Sequence, residues 1–254
     1  MTNIHAPAAG WADLAADIRR GLLVGAAVLA IVIPRAVGSG EVAATSGPVS
    51  IAVPVRAARF ADFGTQPVSR DARHVADWVA DSRDAKGFEF IIVDKKYARV
   101  YVFDTNARLR GSAPVLLGSA RGDDSVPGIG SRPIAQVRPA ERTTPAGRFV
   151  AERGRNTLGE DVIWVDYDAA VSMHRVRAAN PKERRLERLA TPAIIDNRIS
   201  YGCINVPVAF YEAHIRPIFA TRRVVVYVLP EVKSVQQVFG SYDVAASRGL
   251  ESGR

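Results

Sequence analysis

The chain of 254 residues is long enough for one domain with flanking segments, and its 48% apolar and 24% charged residues allow an ordinary hydrophobic core. Its formal net charge of +8 suits an anionic polymer or a membrane surface, whereas nucleic acid is not expected because zinc-finger spacing, RNA-binding motifs and interleaved aromatic and basic residues are missing from the sequence. One cysteine excludes an internal disulfide and, with four histidines, makes a poor metal site, so neither a metal nor another cofactor is expected.

The N-terminal segment has the pattern of an export signal. Arg19-Arg20 precedes 13 consecutive apolar residues that end at a proline (21–34), and Val-Ala-Ala at 42–44 offers a small-residue cleavage site. The run is short for a transmembrane span, which needs roughly 20 residues, and too strongly flanked by charge for a core helix. We therefore predict a signal peptide or an N-terminal membrane anchor over residues 1–44, and export to the periplasm or cell surface. An uncleaved anchor would associate with the inner membrane through 21–34.

Residues 45–87 are predicted to form a linker and a lead-in helix. Alanine, proline and valine dominate up to residue 67, as in an extended linker. Ser69 then has the character of an N-cap, and Gly87 that of a helix stop, for a helix reaching about Lys86. Its apolar stripe is expected to pack on the following domain and consists of Val75, Trp78 and Val79.

Short strands with turn signals between them follow from residue 88. We predict strands at 88–94, 98–104, 115–120, 162–165, 170–174 and 222–229. A further strand is predicted to follow the Pro/Gly turn at 144–149. The first two form a hairpin, and 121–145 is predicted to be a long loop without phosphate-loop character. Strands therefore dominate, and the pattern favours a mainly β, β-sandwich-like domain with a few peripheral helices over 88–231. Residues 232–254 are polar and predicted to be a flexible tail.

A basic excursion interrupts the strands at 175–198, where seven Lys or Arg stand against three Asp or Glu. Two interpretations remain open, a solvated helix face and a lid that faces the substrate. After it, Asn205 is predicted to cap a helix that has Pro207 in its first turn and runs to about Ile218.

Cys203 lies in a turn between Gly202 and this predicted helix start. Backbone N–H groups and a helix N-terminus both favour a thiolate and an oxyanion over their neutral forms. The thiol is therefore either a buried inert group or a nucleophile.

A thiol nucleophile needs a base, and the sequence contains four histidines. His5 precedes the export segment, His74 lies on the lead-in helix, and His214 lies well along the helix after Cys203. His174 instead ends a strand beside the loop that returns to Cys203. A strand end next to a loop can expose a catalytic group, so His174 is the predicted general base.

Three motifs together resemble a known family. Ser-Tyr-Gly-Cys-Ile-Asn at 200–205 resembles the Ser/Thr-His-Gly-Cys-hydrophobic-Asn/Arg signature of the L,D-transpeptidase catalytic domain (YkuD type). His174 matches that family's upstream histidine, and Thr-Pro-Ala-Gly-Arg-Phe at 144–149 matches its Thr-Pro-x-Gly-x-Phe turn. The resemblance covers roughly 88–230, more than half of the chain.

The resemblance implies an exported enzyme that acts on peptidoglycan stem peptides. Cys203 would attack an L-centre carbonyl joined to a D-amino acid, and an amine, a D-amino acid or water would resolve the thioester. His174 would be the general base and acid, oriented by the main-chain carbonyl that follows it. The N–H groups of Gly202 and Cys203 would bind the oxyanion, with Ser200 and Asn205 supporting the site or binding substrate.

The sequence departs from the family pattern at Tyr201, where the family has a histidine, and in the long gap between His174 and Cys203. A tyrosine is neutral near pH 7 and cannot serve as a base there. We predict that Tyr201 shapes the pocket and donates a hydrogen bond, or else only packs. Two further functions stay open: an L,D-carboxypeptidase or amidase that uses the same thioester, and a non-catalytic cell-wall-binding module.

Overall fold

The computed structural model describes residues 57–219 and 223–249. The predicted signal peptide or anchor and most of the predicted linker lie outside the described residues. Within those two ranges, no helix is both long and apolar enough to cross a membrane.

Ten strands and five short helices make up the described fold, which confirms the mainly β prediction. The strands are β1 Phe90–Asp94, β2 Arg99–Phe103, β3 Leu109–Pro114, β4 Leu117–Gly118, β5 Gly147–Arg155, β6 Asp161–Asp166, β7 Val171–Arg175, β8 Arg198–Ser200, β9 Ile204–Val206 and β10 Val224–Val228. The helices are α1 Arg70–Ser82, α2 Arg185–Ala190, α3 Val208–Phe210, α4 Val235–Phe239 and α5 Val244–Ser247. A π-helical turn, Tyr211–Ile215, continues α3.

Eight of the strands form one nearly closed sheet in the order β3-β2-β1-β10-β5-β6-β7-β9. The pairs β1·β10 and β7·β9 are parallel, and the other neighbours are antiparallel. The two edges of the sheet approach each other through Leu116, which follows β3 and exchanges two backbone hydrogen bonds of 2.9 Å with Asn205 in β9. The short β4 and β8 pair beside this junction.

The centre of the sheet is buried on both faces. Every residue of β1 and β10 is buried, which explains why the two strands are nearly continuous apolar runs. In β10, Val226 points into the core enclosed by the curved sheet, whereas Tyr227 points outward under α1. Alternate side chains of one strand therefore serve two separate cores.

Helix α1 begins as predicted, because the Ser69 hydroxyl accepts a hydrogen bond of 3.1 Å from the Ala72 N–H. Its predicted apolar stripe is buried on the sheet. The helix ends earlier than predicted, since Arg83 adopts the left-handed conformation that closes it.

The C-terminal residues differ from the flexible tail expected at 232–254. Helices α4 and α5 cover α1, where Phe239 stacks on Trp78 with ring centroids 6.4 Å apart. The buried carboxylate of Asp81 accepts hydrogen bonds from the Tyr242 hydroxyl at 2.7 Å and the Arg248 guanidinium at 2.8 Å. A polar segment is thus held by a buried acceptor on a distant helix.

Three strand and helix predictions near the site need correction. Strand β3 lies where no strand was predicted, and the predicted strand 115–120 is reduced to the two-residue β4. Asn205 does not cap a helix: it lies in β9, where its backbone pairs with Leu116, and α3 begins at Val208 after Pro207. Pairing with a distant segment prevails over the local capping signal.

The excursion between β7 and β8 is folded against the sheet. It contains α2 and two 3₁₀ turns, 181–183 and 194–197. Leu189 packs with Val176 and Leu116 in a small apolar cluster, and Asn197 donates a hydrogen bond of 3.0 Å to the Val115 carbonyl. The excursion is therefore anchored, which a purely solvated helix face would not be.

Candidate active site

The turn that carries Cys203 requires glycine at position 202. Gly202 has φ = +129°, and a Cβ atom built there would lie 2.8 Å from the Thr143 carbonyl oxygen. The Ser200 hydroxyl closes the turn, because it accepts a hydrogen bond of 3.1 Å from the Gly202 N–H and donates one of 2.6 Å to the Cys203 carbonyl. The backbone path into the nucleophile is thereby fixed.

Thr144 holds this turn against the rest of the sheet. Its fully buried hydroxyl donates to the Gly202 carbonyl at 2.8 Å and accepts from the Gly118 N–H at 2.9 Å. The Thr-Pro-x-Gly-x-Phe motif and the cysteine motif are therefore joined directly, although 58 positions separate the two residues.

A buried ion pair supports Thr144 from beneath. Lys95 is fully buried, and its ammonium donates to the Thr144 carbonyl at 2.9 Å and to Asp123 at 3.0 Å. Burial alone would raise the pKa of Asp123, but backbone N–H groups around Glu231 and the Lys95 ammonium lower it to about 2. Sequence analysis placed Lys95 in a hairpin turn and missed this role, because its partners are distant in sequence.

The parallel pairing of β7 and β9 brings His174 and Cys203 together. In this register Met173 faces Ile204, so the residues just before them, Ser172 and Cys203, are neighbours. The Ser172 hydroxyl lies 3.6 Å from the Cys203 sulfur, and the thiol donates a hydrogen bond of 3.7 Å to the Ala170 carbonyl.

The environment of Cys203 favours its thiolate. Burial raises the pKa of this half-buried thiol, but the hydrogen bond and charge of His174, with the N–H and hydroxyl of Ser172, outweigh burial and leave the pKa below its ordinary value. The predicted helix N-terminus contributes nothing here, because β9 separates Cys203 from α3.

The His174 ring is oriented by the main chain, as expected. Its Nδ1 lies 2.8 Å from the Arg175 carbonyl oxygen, which can only accept a hydrogen bond. Nδ1 must therefore carry a proton, and Nε2 is the nitrogen left to exchange a proton with the thiol or a substrate.

The geometry bears on three of the predicted site roles, and for Ser200 and Asn205 it favours the supporting role over substrate binding. The Gly202 N–H was expected to bind an oxyanion, but it is directed to the Ser200 hydroxyl. Ser200 and Asn205, proposed as substrate-binding residues, are only 2% and 1% exposed. Asn205 donates a hydrogen bond of 3.2 Å to the Cys203 carbonyl, so both side chains support the turn from inside.

Asn205 also connects the turn to the basic excursion. Its side-chain oxygen accepts a hydrogen bond of 2.6 Å from Arg185 at the start of α2, and Arg185 also pairs with Glu183. The position of the excursion is therefore coupled to the backbone of the cysteine turn.

Tyr201 lies at the surface of the turn with 39% of its area exposed. The Arg142 guanidinium stacks over the ring, 3.9 Å from its centroid. Within the described ranges, the Tyr201 hydroxyl makes no hydrogen bond, so the structure gives the predicted donor role no partner.

A groove of about 420 Å³ borders His174. Five arginines line it, and we call it the arginine groove: Arg153, Arg155, Arg175, Arg177 and Arg216. Sequence analysis missed this groove because its residues come from β5, β6, β7 and the turn after α3. Alternation along β5 could have placed Arg153 and Arg155 on one face, and the strand register puts that face on the side of Ile163 and Met173.

No metal centre is evident in the described part of the chain, which contains no group of three or more His, Cys, Asp or Glu placed to hold an ion. The reactive groups that the chain itself brings to the site are the Cys203 thiol, the His174 imidazole and backbone N–H groups.

No protein-family model and no curated protein matches this sequence. Among solved structures, L,D-transpeptidase from Enterococcus faecium is similar at 14% identity, over 56% of this chain and 50% of that chain, with a TM-score of 0.31. The helical cell shape determining protein Pgp2 from Campylobacter jejuni is similar at 15% identity, over 62% of this chain and 55% of that one, with a TM-score of 0.37.

A third solved structure is a fused Zn-dependent amidase/peptidase/peptidoglycan-binding domain-containing protein from Clostridium acetobutylicum. It is similar at 17% identity, over 66% of this chain and 64% of that one, with a TM-score of 0.33. The chain spans less than two thirds of each of these proteins. Identities and TM-scores of this size are too low to assign the chain to a family or an activity.

Proposed function

We propose that the protein is a cysteine acyltransferase of the L,D-transpeptidase type that acts on peptidoglycan stem peptides. The observation that supports the proposal is the parallel pairing of β7, which carries His174, with β9, which follows the only cysteine, together with a thiol pKa below its ordinary value. The resemblance of three motifs to that family supplies the substrate class. Those motifs are adjacent in the fold, since Thr144 bonds to Gly202 and β7 pairs with β9.

The first half of the reaction forms a thioester. The Cys203 thiolate attacks the carbonyl carbon of the L-centre residue, and the electron pair of the C=O bond moves onto oxygen. We assign the Cys203 N–H as the oxyanion donor, because the neighbouring Gly202 N–H is already directed to Ser200. The tetrahedral intermediate then reforms the carbonyl and breaks the C–N bond, while His174 Nε2 gives its proton to the departing D-residue amine.

The second half returns the enzyme to its starting state. Neutral His174 accepts a proton from the incoming nucleophile, which attacks the thioester and releases Cys203 as thiolate. An amine of a second stem gives a crosslink, and a free D-amino acid gives an exchanged stem. Water gives a shortened stem, which is the carboxypeptidase alternative.

We also propose that the protein acts outside the cytoplasm. The double arginine and apolar run before residue 34 support export, and peptidoglycan is located there. The net charge of +8 suits an anionic polymer such as the cell wall.

Mass spectrometry of stem peptides tests the proposed function. The purified full-length protein is incubated with defined tetrapeptide stems, with and without a D-amino acid, beside the Cys203→Ser variant. We expect crosslinked dimers or exchanged stems from the wild type and none from the variant. Tripeptides alone would favour the hydrolase. Unchanged stems, together with an alkylation rate no faster than that of free cysteine, would favour a wall-binding module.

A further inference from the structure

We propose that Trp164 and Tyr167 bind the saccharide to which the stem peptide is attached, on the sheet face that carries the nucleophile. We call these two residues the aromatic platform. The inference rests on the proposed function for the attachment of a saccharide to the substrate. Its own support comes from the strand register, the exposure of the two rings and their distance from Cys203.

The register places Trp164 in one row with the nucleophile. Trp164 pairs with Ser172 across β6 and β7, and Ser172 neighbours Cys203 across β7 and β9. These side chains share the outer face, because the alternate residues Ile163 and Met173 lie in the inner core. A ligand that lies across the strands can therefore contact Trp164 and reach Cys203 on the same face of the sheet.

The aromatic platform is open to solvent. Trp164 is half-buried and Tyr167 is 77% exposed, and their rings meet edge to face with centroids 5.4 Å apart. Among the described residues, neither the Trp164 indole N–H nor the Tyr167 hydroxyl has a hydrogen-bond partner. Aromatic rings with free polar groups suit a sugar, which presents apolar C–H groups on its ring face and hydroxyls at its edge.

A glycine makes room for the indole. The Trp164 atoms Cδ1 and Nε1 would lie 2.5 Å from a Cβ atom built at Gly154 on β5, which is too close for any side chain there. The indole therefore extends from β6 towards β5. Helix α1 covers the outer face of β10, but on the outer face of β5 Val150 is 48% exposed. The sheet beside the aromatic platform is thus free to receive a ligand.

The distance from the nucleophile suits the saccharide end of a stem. Neighbouring strands lie about 4.8 Å apart, so Trp164 on β6 is roughly 10 Å from Cys203 next to β9. When the fourth residue of a tetrapeptide stem leaves, three residues remain between the attacked carbonyl and the saccharide. In extended form they span about 10 Å.

The excursion limits the direction in which a stem can lie. It occupies the same face next to β9, where Arg185 donates a hydrogen bond of 2.6 Å to Asn205. The open direction from Cys203 is therefore towards β6 and the aromatic platform.

Binding measurements test the inference without turnover. In the full-length Cys203→Ser background, isothermal titration compares a tetrapeptide stem attached to its disaccharide with the same tetrapeptide carrying an N-terminal acetyl group. Trp164→Ala removes the indole, and Gly154→Ala displaces it through the Cβ clash. Tyr97→Ala, at an exposed tyrosine in the turn between β1 and β2, is the matched control.

We expect the parent protein to bind the glycopeptide about three- to tenfold more tightly than the acetylated peptide, as a contact of aromatic-ring strength implies. Trp164→Ala and Gly154→Ala should lose this preference, and Tyr97→Ala should keep it. Equal binding of the two ligands by the parent protein overturns the inference. So does a preference that persists in Trp164→Ala, including the case in which both ligands weaken equally because the ring contacts the peptide. Gly154→Ala carries the same test if Trp164→Ala does not fold.

The outcomes separate this inference from the proposed function. A preference for the glycopeptide without any product formation by the wild-type protein retains the aromatic platform and rejects the acyltransferase. Product formation without that preference does the reverse.

Discussion

The two halves of the sheet are stabilised by different means. Around β1 and β10, apolar side chains fill both faces, with the core on one side and α1 with the C-terminal helices on the other. Around β7 and β9, the inner face is equally apolar, but the outer face carries Ser172, His174 and Asn205. Hydrogen bonds hold these polar groups in place, whereas the half around β1 and β10 is held mainly by apolar packing.

The comparison indicates where stability and reactivity reside in this molecule. Substitutions in the β1/β10 half should change the free energy of unfolding and leave the thiol pKa alone. Substitutions in the β7/β9 half should change thiol reactivity by more than they change stability. Four variants test this division, beginning with the largest expected effect.

His174→Ala should reduce activity by about 10²–10⁴-fold, the usual contribution of a general acid–base residue. It should also raise the thiol pKa, because the group that contributes most to lowering it is gone. The reactive thiolate is present above the thiol pKa. In the wild type, the alkylation rate should therefore fall as the pH drops through the Cys203 pKa, which lies below the pKa of free cysteine. In the variant, the fall should occur at higher pH.

His74→Ala is the matched control for this substitution. His74 contacts the Ser241 hydroxyl at 3.0 Å on α1, away from the thiol. Its alkylation profile should match the wild type, and an unchanged profile in His174→Ala would remove His174 from the mechanism.

Ile91→Ala tests the packed half of the sheet. Ile91 is fully buried in the inner core, and such a truncation costs about 2–5 kcal/mol of unfolding free energy. Denaturant titration should show this loss, while the pH midpoint of Cys203 alkylation stays the same. A shifted midpoint would mean that the two halves are coupled.

Thr144→Val should affect both properties, because Thr144 joins the two halves. The variant leaves the Gly202 carbonyl and the Gly118 N–H buried without a partner, at about 1–3 kcal/mol for each group. We expect a lower unfolding free energy and slower alkylation. Thr143→Val is the control, since the Thr143 hydroxyl makes no hydrogen bond within the described residues. Equal behaviour of both variants would contradict the role of Thr144.

Arg185→Gln should have the smallest effect, a change of a few fold in activity. It removes a charge-assisted hydrogen bond to Asn205, worth about 1.5–3 kcal/mol, but Asn205 retains its bond to the Cys203 carbonyl. Steady-state kinetics should show this change beside Arg184→Gln, whose exposed pairing with Glu187 lies on the solvent side of the excursion. If both variants resemble the wild type, the excursion does not influence the site.

The sequence was sufficient for features set by local patterns. The Ser69 cap, the apolar stripe of α1 and the β1–β2 hairpin follow from propensity and spacing, and the structure contains all three. The sequence also paired His174 with Cys203, but the parallel pairing of β7 and β9 that relates them was not predicted, because Asn205 was expected to cap a helix.

Features that depend on distant partners were not predictable. Strand β9 exists because Leu116 and β7 pair with it from opposite sides, against a local sequence that favours a helix cap. Lys95 looks like a turn residue until Asp123 and Thr144 surround it. The C-terminal helices are short and lie in a polar segment, and they are held by apolar contacts with α1 and by the Asp81 carboxylate on that helix.

The stacked Tyr201 has a consequence for the resistance of the site to trace metals. A histidine at this position, as in the family pattern, would add a second imidazole to that of His174. A thiolate with two imidazoles offers three of the ligand types that Zn²⁺ prefers, and such a turn would tend to capture zinc. With tyrosine at this position, the turn offers one sulfur and one imidazole, and the Arg142 guanidinium above the ring repels a cation. The turn therefore presents a metal ion with fewer ligands than a turn that carried histidine at this position.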